Sequence, residues 1–187
     1  MKNTADDIQL MTAAQSGDQN AFSQLVDLLA DRIYGLAFRM LDNEQDARDA
    51  AQDAFVRMWQ SRKRWSPKGA VSTWAYRITT NLCLNRLRSK KRWQMQRLDS
   101  DSENGSGFDI PTAEEYSPHN QLENQETKEH LNRAISKLPP RERAAIILRH
   151  QQGLSGKEVA KILKTTIYGI DSLLFRARKR LRKIIDN

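Results

Sequence analysis

Apolar residues recur at helical intervals along most of the chain. Phe22, Leu25, Leu29, Ile33, Leu36 and Met40 step by three and four, which over about five turns makes the buried stripe of an amphipathic helix. Upstream, Ile8, Met11 and Ala14 repeat at three before Ser16-Gly17-Asp18, where the glycine reads as a helix stop and the aspartate as the next N-cap. After Asp42-Asn43, the run from Glu44 to Gln60 places Ala47, Ala51, Ala54 and Met58 on one face. Pro67 and Gly69 mark Trp65 to Ala70 as a loop, and Trp74, Ile78 and Leu82 then repeat at four.

The C-terminal third is punctuated as clearly. Ser117-Pro118 reads as an N-cap with proline at the first helical position, opening a helix with Leu122, Leu131, Ile135 and Leu138 that Pro139-Pro140 ends. A further helix carries Ala145 and Leu148 to Gly153. Ser155-Gly156-Lys157-Glu158 is a capping box that starts the short run Val159 to Leu163. Lys164-Thr165-Thr166 forms a turn with Thr166 as N-cap, and the last helix has Ile167, Ile170, Leu174, Ala177, Leu181 and Ile184 on its apolar side. The predicted fold class is all-α.

Composition adds the organisation. The 187 residues carry 31 Lys+Arg against 23 Asp+Glu, a net charge of +8. That total conceals three blocks: residues 1–94 carry +5, residues 95–127 carry −7, and residues 128–187 carry +10. The acidic block also concentrates Ser, Asn, Gly and Pro, and cannot bury enough apolar surface to offset its ordering entropy. Two small helical domains are expected, at 1–94 and 118–187, joined by a flexible linker at 95–117 whose acidic composition runs to about 127. Basic blocks at both ends point to a polyanionic partner, nucleic acid first. No apolar run approaches the roughly 20 residues of a membrane span, and the N-terminus lacks the order of a secretory signal, so a cytoplasmic protein is expected. One cysteine, Cys83, and three scattered histidines offer neither a disulfide nor a zinc site, and no cofactor or small-molecule substrate is called for.

Three surfaces carry candidate chemistry. Asp46, Asp49 and Asp53 share a helix face, with Gln52 and Phe55 beside them. That face is open to three readings: solvated charge first, then a protein-docking surface, to which the nearby Phe55 and Trp59 lend weight, and last a catalytic or metal site. The helix from Trp74 to Arg88 sets Arg77, Asn81, Asn85 and Arg88 beside aromatic residues, a combination suited to single-stranded nucleic acid. Trp74 and Tyr76 can equally be core, and the repeat at four favours core for Trp74. Finally, two helices joined by Lys164-Thr165-Thr166 form a helix-turn-helix, whose second helix presents Tyr168, Asp171, Ser172 and Phe175 for base reading and then Arg176, Arg178, Lys179 and Arg180 for phosphates.

Three runs in order, Asp46 to Phe55, Ser72 to Ile78 with Asn81-Leu82, and Phe175-Arg176-Ala177-Arg178, resemble the bacterial extracytoplasmic-function (ECF) sigma factors of the sigma-seventy family. The resemblance spans both basic blocks. It implies that Asp49, Gln52, Asp53 and Phe55 dock on the β′ clamp helices of core RNA polymerase. It further implies that Trp65, Lys68, Trp74, Tyr76, Arg77, Asn81, Asn85 and Arg88 serve recognition and melting of the −10 element. Thr165, Thr166, Tyr168, Asp171, Ser172, Phe175, Arg176 and Lys179 would serve the −35 element. The acidic linker would lie along polymerase channels otherwise used by nucleic acid, and the partners would be core polymerase, promoter DNA and an anti-sigma factor, with no bond change catalysed by the chain.

One departure stands in the recognition helix. Where many members have a small-Gly-Thr-Val-Arg/Lys-Ser-Arg pattern, this chain has Ile167-Tyr168-Gly169-Ile170-Asp171-Ser172-Leu173-Leu174. A carboxylate accepts from cytosine N4 whereas arginine favours guanine, so Asp171 is expected to shift the −35 preference. Two rival readings remain at this point: a helix-turn-helix regulator that is not a polymerase subunit, and a metal-dependent nuclease built on Asp46, Asp49 and Asp53.

Overall fold

The computed structural model describes residues 5–67, 69–100 and 130–186. All regular structure among them is helical. Helix α1 (Ala5–Gln15) ends at Gly17, whose φ of 104° is open to glycine and strained for other residues. Asp18 then caps α2 (Gln19–Leu41), accepting from the backbone N–H groups of Asn20 and Ala21 at 2.9 and 3.0 Å. Asp42 closes α2 in the left-handed conformation (φ 53°), donating its N–H to the Phe38 carbonyl, and Asn43 caps α3 (Glu44–Ser61) through the Asp46 N–H.

The α2 stripe is buried as expected. Leu25, Leu29, Ile33, Leu36 and Met40 lie at 2 % exposure or less, against Ala47, Ala50, Ala54 and Met58 of α3 and Val71, Ala75 and Leu82 of α4 (Val71–Ser100). Small residues on α3 let that helix approach α2 closely. Leu36→Ala is expected to cost about 2–5 kcal/mol, from lost transfer energy and the cavity left behind, read as a lowered urea midpoint at unchanged slope. Helix α1 is tied down by polar bonds: the Gln15 amide donates to the carbonyls of Arg62 and Trp65 at 3.0 and 2.9 Å, and Arg62 Nε donates to the Ala14 carbonyl.

The C-terminal group begins, among the described residues, with a helical stretch at 130–136. The start of that helix at Ser117-Pro118 and most of the acidic linker lie outside the described residues. Helix α5 (Pro140–Ile146) continues into a π turn (Ile147–Gln151) instead of running on as α-helix to Gly153. Gln152 N–H reaches back to the Ile147 carbonyl at 3.0 Å, and Leu154 N–H to Leu148 at 3.1 Å. This wider winding keeps Ile147, Leu148 and Leu154 all in the core. Helix α6 (Gly156–Leu163) opens with the capping box, Ser155 and Glu158 each accepting from the other's backbone N–H. Lys164 turns left-handed (φ 50°), and Thr166 caps α7 (Ile167–Ile185) by accepting from Gly169 N–H at 3.1 Å.

Two differences from the sequence expectation concern the N-terminal domain's end. Helix α4 runs on to Ser100, so residues 95–100, expected to begin the linker, are helical. The two helical groups also share one continuous core instead of standing apart. Arg143 of α5, buried at 8 % exposure, donates to the Met40 carbonyl at the end of α2 at 2.7 Å and to Leu138 at 3.3 Å. No helix among the described residues is long and apolar enough to cross a membrane.

Candidate nucleic-acid interface

The acidic face of α3 is presented as its periodicity demands, since Ala47, Ala50, Ala51 and Ala54 turn inward and leave Asp49, Gln52 and Asp53 exposed. Phe55 is half-buried against the core. Trp59, one turn on, packs its ring on Phe22 (centroids 5.1 Å apart) beneath the Arg62 guanidinium at 3.8 Å. The carboxylates are held individually. Asp49 accepts from the Gln45 amide at 3.1 Å, while Arg86 of α4 donates to Asp53 and to the Asp46 carbonyl, both at 2.7 Å. An open cleft of about 480 Å³ separates these acids from Asn85 and Lys90. No three His, Cys, Asp or Glu side chains among the described residues gather into a metal cage.

On α4, Arg77, Asn85 and Arg88 are exposed and Asn81 is half-buried, so the polar stripe lies on the surface. Its aromatic neighbours do not. Trp65, Trp74 and Tyr76 are 6, 8 and 3 % exposed: Trp74 is core, as its repeat favoured, and the role in stacking that the resemblance implied for the three is corrected for this arrangement. For Trp74 the reason is the repeat at four that also sets Ile78 and Leu82 against the core; Trp65, in the loop before α4, and Tyr76 are enclosed by the same core. Burial pushes the Tyr76 phenol above its usual range, against the pull of the cations Arg32 and Arg39, and Arg39 is itself lowered by burial. Cys83, fully enclosed, has its thiol pushed up to about 12 by burial, so it stays a protonated core group. Lys68 lies outside the described residues.

The α6–turn–α7 unit carries the third surface. Gly169 sits close under Thr165, whose side-chain hydroxyl a Cβ there would displace. Ile170, Leu173, Leu174 and Ala177 face inward, which turns Tyr168 (86 % exposed), Asp171, Ser172 and Phe175 (68 %) outward in one patch. Thr166 is exposed beside it and Thr165 half-buried. Large exposed aromatic groups on a helix bordered by Arg176, Lys179 and Arg180 fit apolar contact with base edges flanked by phosphate binding.

Arg176 and Arg180 are not free rods. Both approach Glu142 of α5, at 4.0 and 3.1 Å, whose carboxylate is almost fully buried. Glu142 thus ties α7 to α5 through Arg180, while Arg176 Nε donates to the Ser172 carbonyl at 3.3 Å. Neither Glu142 nor Arg86 stood out in the sequence. Each looks like an ordinary helix charge, and its partners lie 33 or more residues away, beyond any local spacing rule.

Two helical units, one with an acidic face and a cationic polar stripe and the other with a helix-turn-helix, define a DNA-binding transcription factor. Residues 25–93 match the family model for Sigma-70 region 2, and residues 128–181 match that for Sigma-70, region 4. The ECF RNA polymerase sigma factor SigW of Bacillus subtilis is 33 % identical over 170 residues, covering 90 % of this chain and 91 % of the relative. The ECF RNA polymerase sigma-E factor of Escherichia coli is 31 % identical over 183 residues, 97 % of this chain and 95 % of that one. Among solved structures, CnrH in complex with the cytosolic domain of CnrY superposes with a TM-score of 0.66 at 25 % identity, covering 98 % of both chains. The sigma factor RpoE of Bartonella quintana, solved with the anti-sigma factor NepR, superposes at 0.65 over 88 % of this chain and 96 % of that one with 24 % identity, a likeness of fold. The chain belongs to the ECF sigma factors of the sigma-70 family. It is a polymerase-associated factor that directs transcription, and the reading as a free-standing helix-turn-helix regulator is not favoured.

Proposed function

We propose that the chain recruits core RNA polymerase through the α3 face and positions it on promoter DNA at two points. Helix α7 reads the −35 element with Tyr168, Asp171, Ser172 and Phe175, while Thr165, Thr166, Arg176 and Lys179 hold phosphates. The α4 stripe of Arg77, Asn81, Asn85 and Arg88 engages the −10 element and stabilises its opened strand by binding energy alone, with no bond made or broken. Units 1–94 and 118–187 divide these tasks. The observation that carries this reading is the exposed patch of Tyr168, Asp171, Ser172 and Phe175 over a cationic flank on a helix-turn-helix, in a chain that also presents the acidic α3 face.

The protein would work in the cytoplasm, where its polymerase is, and be restrained by an anti-sigma factor. CnrH, 25 % identical, was solved in complex with the cytosolic domain of CnrY, and a protein partner of that kind supports the reading. Run-off transcription with purified core polymerase tests the whole reading. A promoter-dependent transcript is expected from some member of a randomised promoter library only when this chain is added. Transcript from none of them, with DNA binding intact, would return the chain to the rival class of regulators.

A further inference from the structure

A cleft of about 600 Å³ lies between the middle of α4 and the C-terminal unit. Leu84, Leu87, Arg88 and Lys91 form its α4 wall, and helical spacing puts all four on one stripe. The leucines are half-buried and the two cations exposed, so this wall is apolar at its base and charged at its rim. Opposite stand the rigid apolar rings of Pro139 and Pro140, with two further cations, Arg141 and Arg176. Arg141 is steadied by donating to the Leu163 carbonyl at 2.8 Å. The walls are held in register away from the cleft: Thr73 of α4 donates to Glu158 of α6 at 3.2 Å, although 85 residues separate them, and Arg143 donates to the Met40 carbonyl.

Four cations against one carboxylate, Glu142, leave three net positive charges along the lining, and Glu142 is already engaged by Arg180 at 3.1 Å. Neither Arg88 nor Lys91 pairs with a carboxylate among the described residues. Like charges gathered beside an apolar surface are weakly screened, so an anion seated among them relieves their repulsion. The volume suits a small molecule, whose sites span roughly 300–1,000 Å³. We propose that the cleft binds a nucleoside triphosphate, its base between the leucines and the prolines and its phosphates on Arg88, Lys91 and Arg176. Guanidinium groups match phosphate oxygens in pairs, and the hydroxyls of Thr165 and Ser172 in the same lining offer partners to the ribose or base edge. Inorganic phosphate would satisfy the cations but leave the apolar slot unused. Because Arg88, Thr165, Ser172 and Arg176 are also assigned to promoter DNA, nucleotide and promoter would exclude each other, which couples initiation to nucleotide supply. That coupling rests on the proposed promoter assignment, whereas the site itself does not.

The test is equilibrium binding of a ribose-labelled fluorescent ATP to the full chain, followed by anisotropy without DNA or polymerase, so its outcome is independent of the promoter reading. Unlabelled ATP is expected to displace the probe at least about tenfold better than inorganic triphosphate, adenosine or a short randomised DNA single strand. Lys91→Glu, at an exposed position of the rim, is expected to weaken ATP by about tenfold or more. Pro140→Ala, which trims the apolar slot, is expected to weaken ATP by about two- to tenfold and leave inorganic triphosphate unchanged. Lys157→Glu, exposed on α6 outside the cleft, is expected to change nothing. Loss in Lys157→Glu equal to that in Lys91→Glu would mean general attraction to a basic protein and overturns the site. Displacement by inorganic triphosphate as effective as by ATP overturns the seat for the base, and stronger displacement by the single strand gives the cleft to DNA instead. Absence of saturable binding up to about 1 mM, the upper end of ordinary metabolite levels, overturns the proposal outright.

Discussion

Asp49→Lys is expected to weaken core polymerase binding by at least about 100-fold, equivalent to about 2.8 kcal/mol, while leaving the fold and −35 duplex binding intact. The size follows from reversing a charge on the proposed docking surface, where like-charge juxtaposition costs several kcal/mol and single residues dominate affinity. Asp49 is the cleanest position for the experiment. It is exposed, and its single side-chain bond is to the neighbouring Gln45 amide, so nothing buried is disturbed. Asp53→Lys should weaken docking as well, but it also strips Arg86 of its partner and loosens the α3–α4 tie. Competition binding of a fluorescent chain to core polymerase separates the two. Loss in both with unchanged thermal midpoint for Asp49→Lys alone is expected, and unchanged affinity of Asp49→Lys would remove the α3 face from the docking assignment. Raised salt should reduce the wild-type affinity, since exposed charges are screened beyond about 8 Å at physiological ionic strength.

Features set by near neighbours were legible in the chain. Asp18, Ser155 and Thr166 cap the helices they were expected to cap, because a capping bond spans three residues and needs no knowledge of the fold. The stripe of Leu25, Leu29, Ile33, Leu36 and Met40 is buried for the same local reason. The surface proposed for the −10 element was only half legible. Charge beside aromatic residues signals single-strand binding, but the signal is blind to which helix face is buried, and Trp65, Trp74 and Tyr76 went into the core while Arg77 and Arg88 stayed out. Buried charge was not legible at all. Glu142 and Arg143 sit in a run, Pro140-Arg141-Glu142-Arg143, that reads as a solvated first turn, yet both are enclosed by elements distant in sequence. The Thr73–Glu158 bond is of this kind too. Glu158 reads as a capping residue and is one, and only the packing of α6 on α4 reveals its second partner.

Replacing Asp171 by arginine is expected to change the base preferred at one position of the −35 element from cytosine to guanine. The residue stands in the second turn of α7, exposed, with Tyr168 one turn before it and Phe175 one turn after. Those rings fit thymine methyl groups on either side, which would fix the helix in the groove and bring the residue between them to a base edge. A carboxylate there accepts from the cytosine amino group and is repelled by the acceptor-rich edge of guanine, and a guanidinium reverses both interactions. Each good base contact discriminates by about 1–3 kcal/mol, or roughly 5- to 150-fold, so the switch should dominate a selection. Arginine also adds a cation near the phosphates, so total affinity should rise, and its salt dependence should steepen by about one counterion. Selecting promoters from a random library with both proteins separates the effects. A preferred sequence that changes at one position is expected from base reading, whereas identical preferred sequences with uniformly tighter binding would mean that Asp171 faces the backbone and reads nothing.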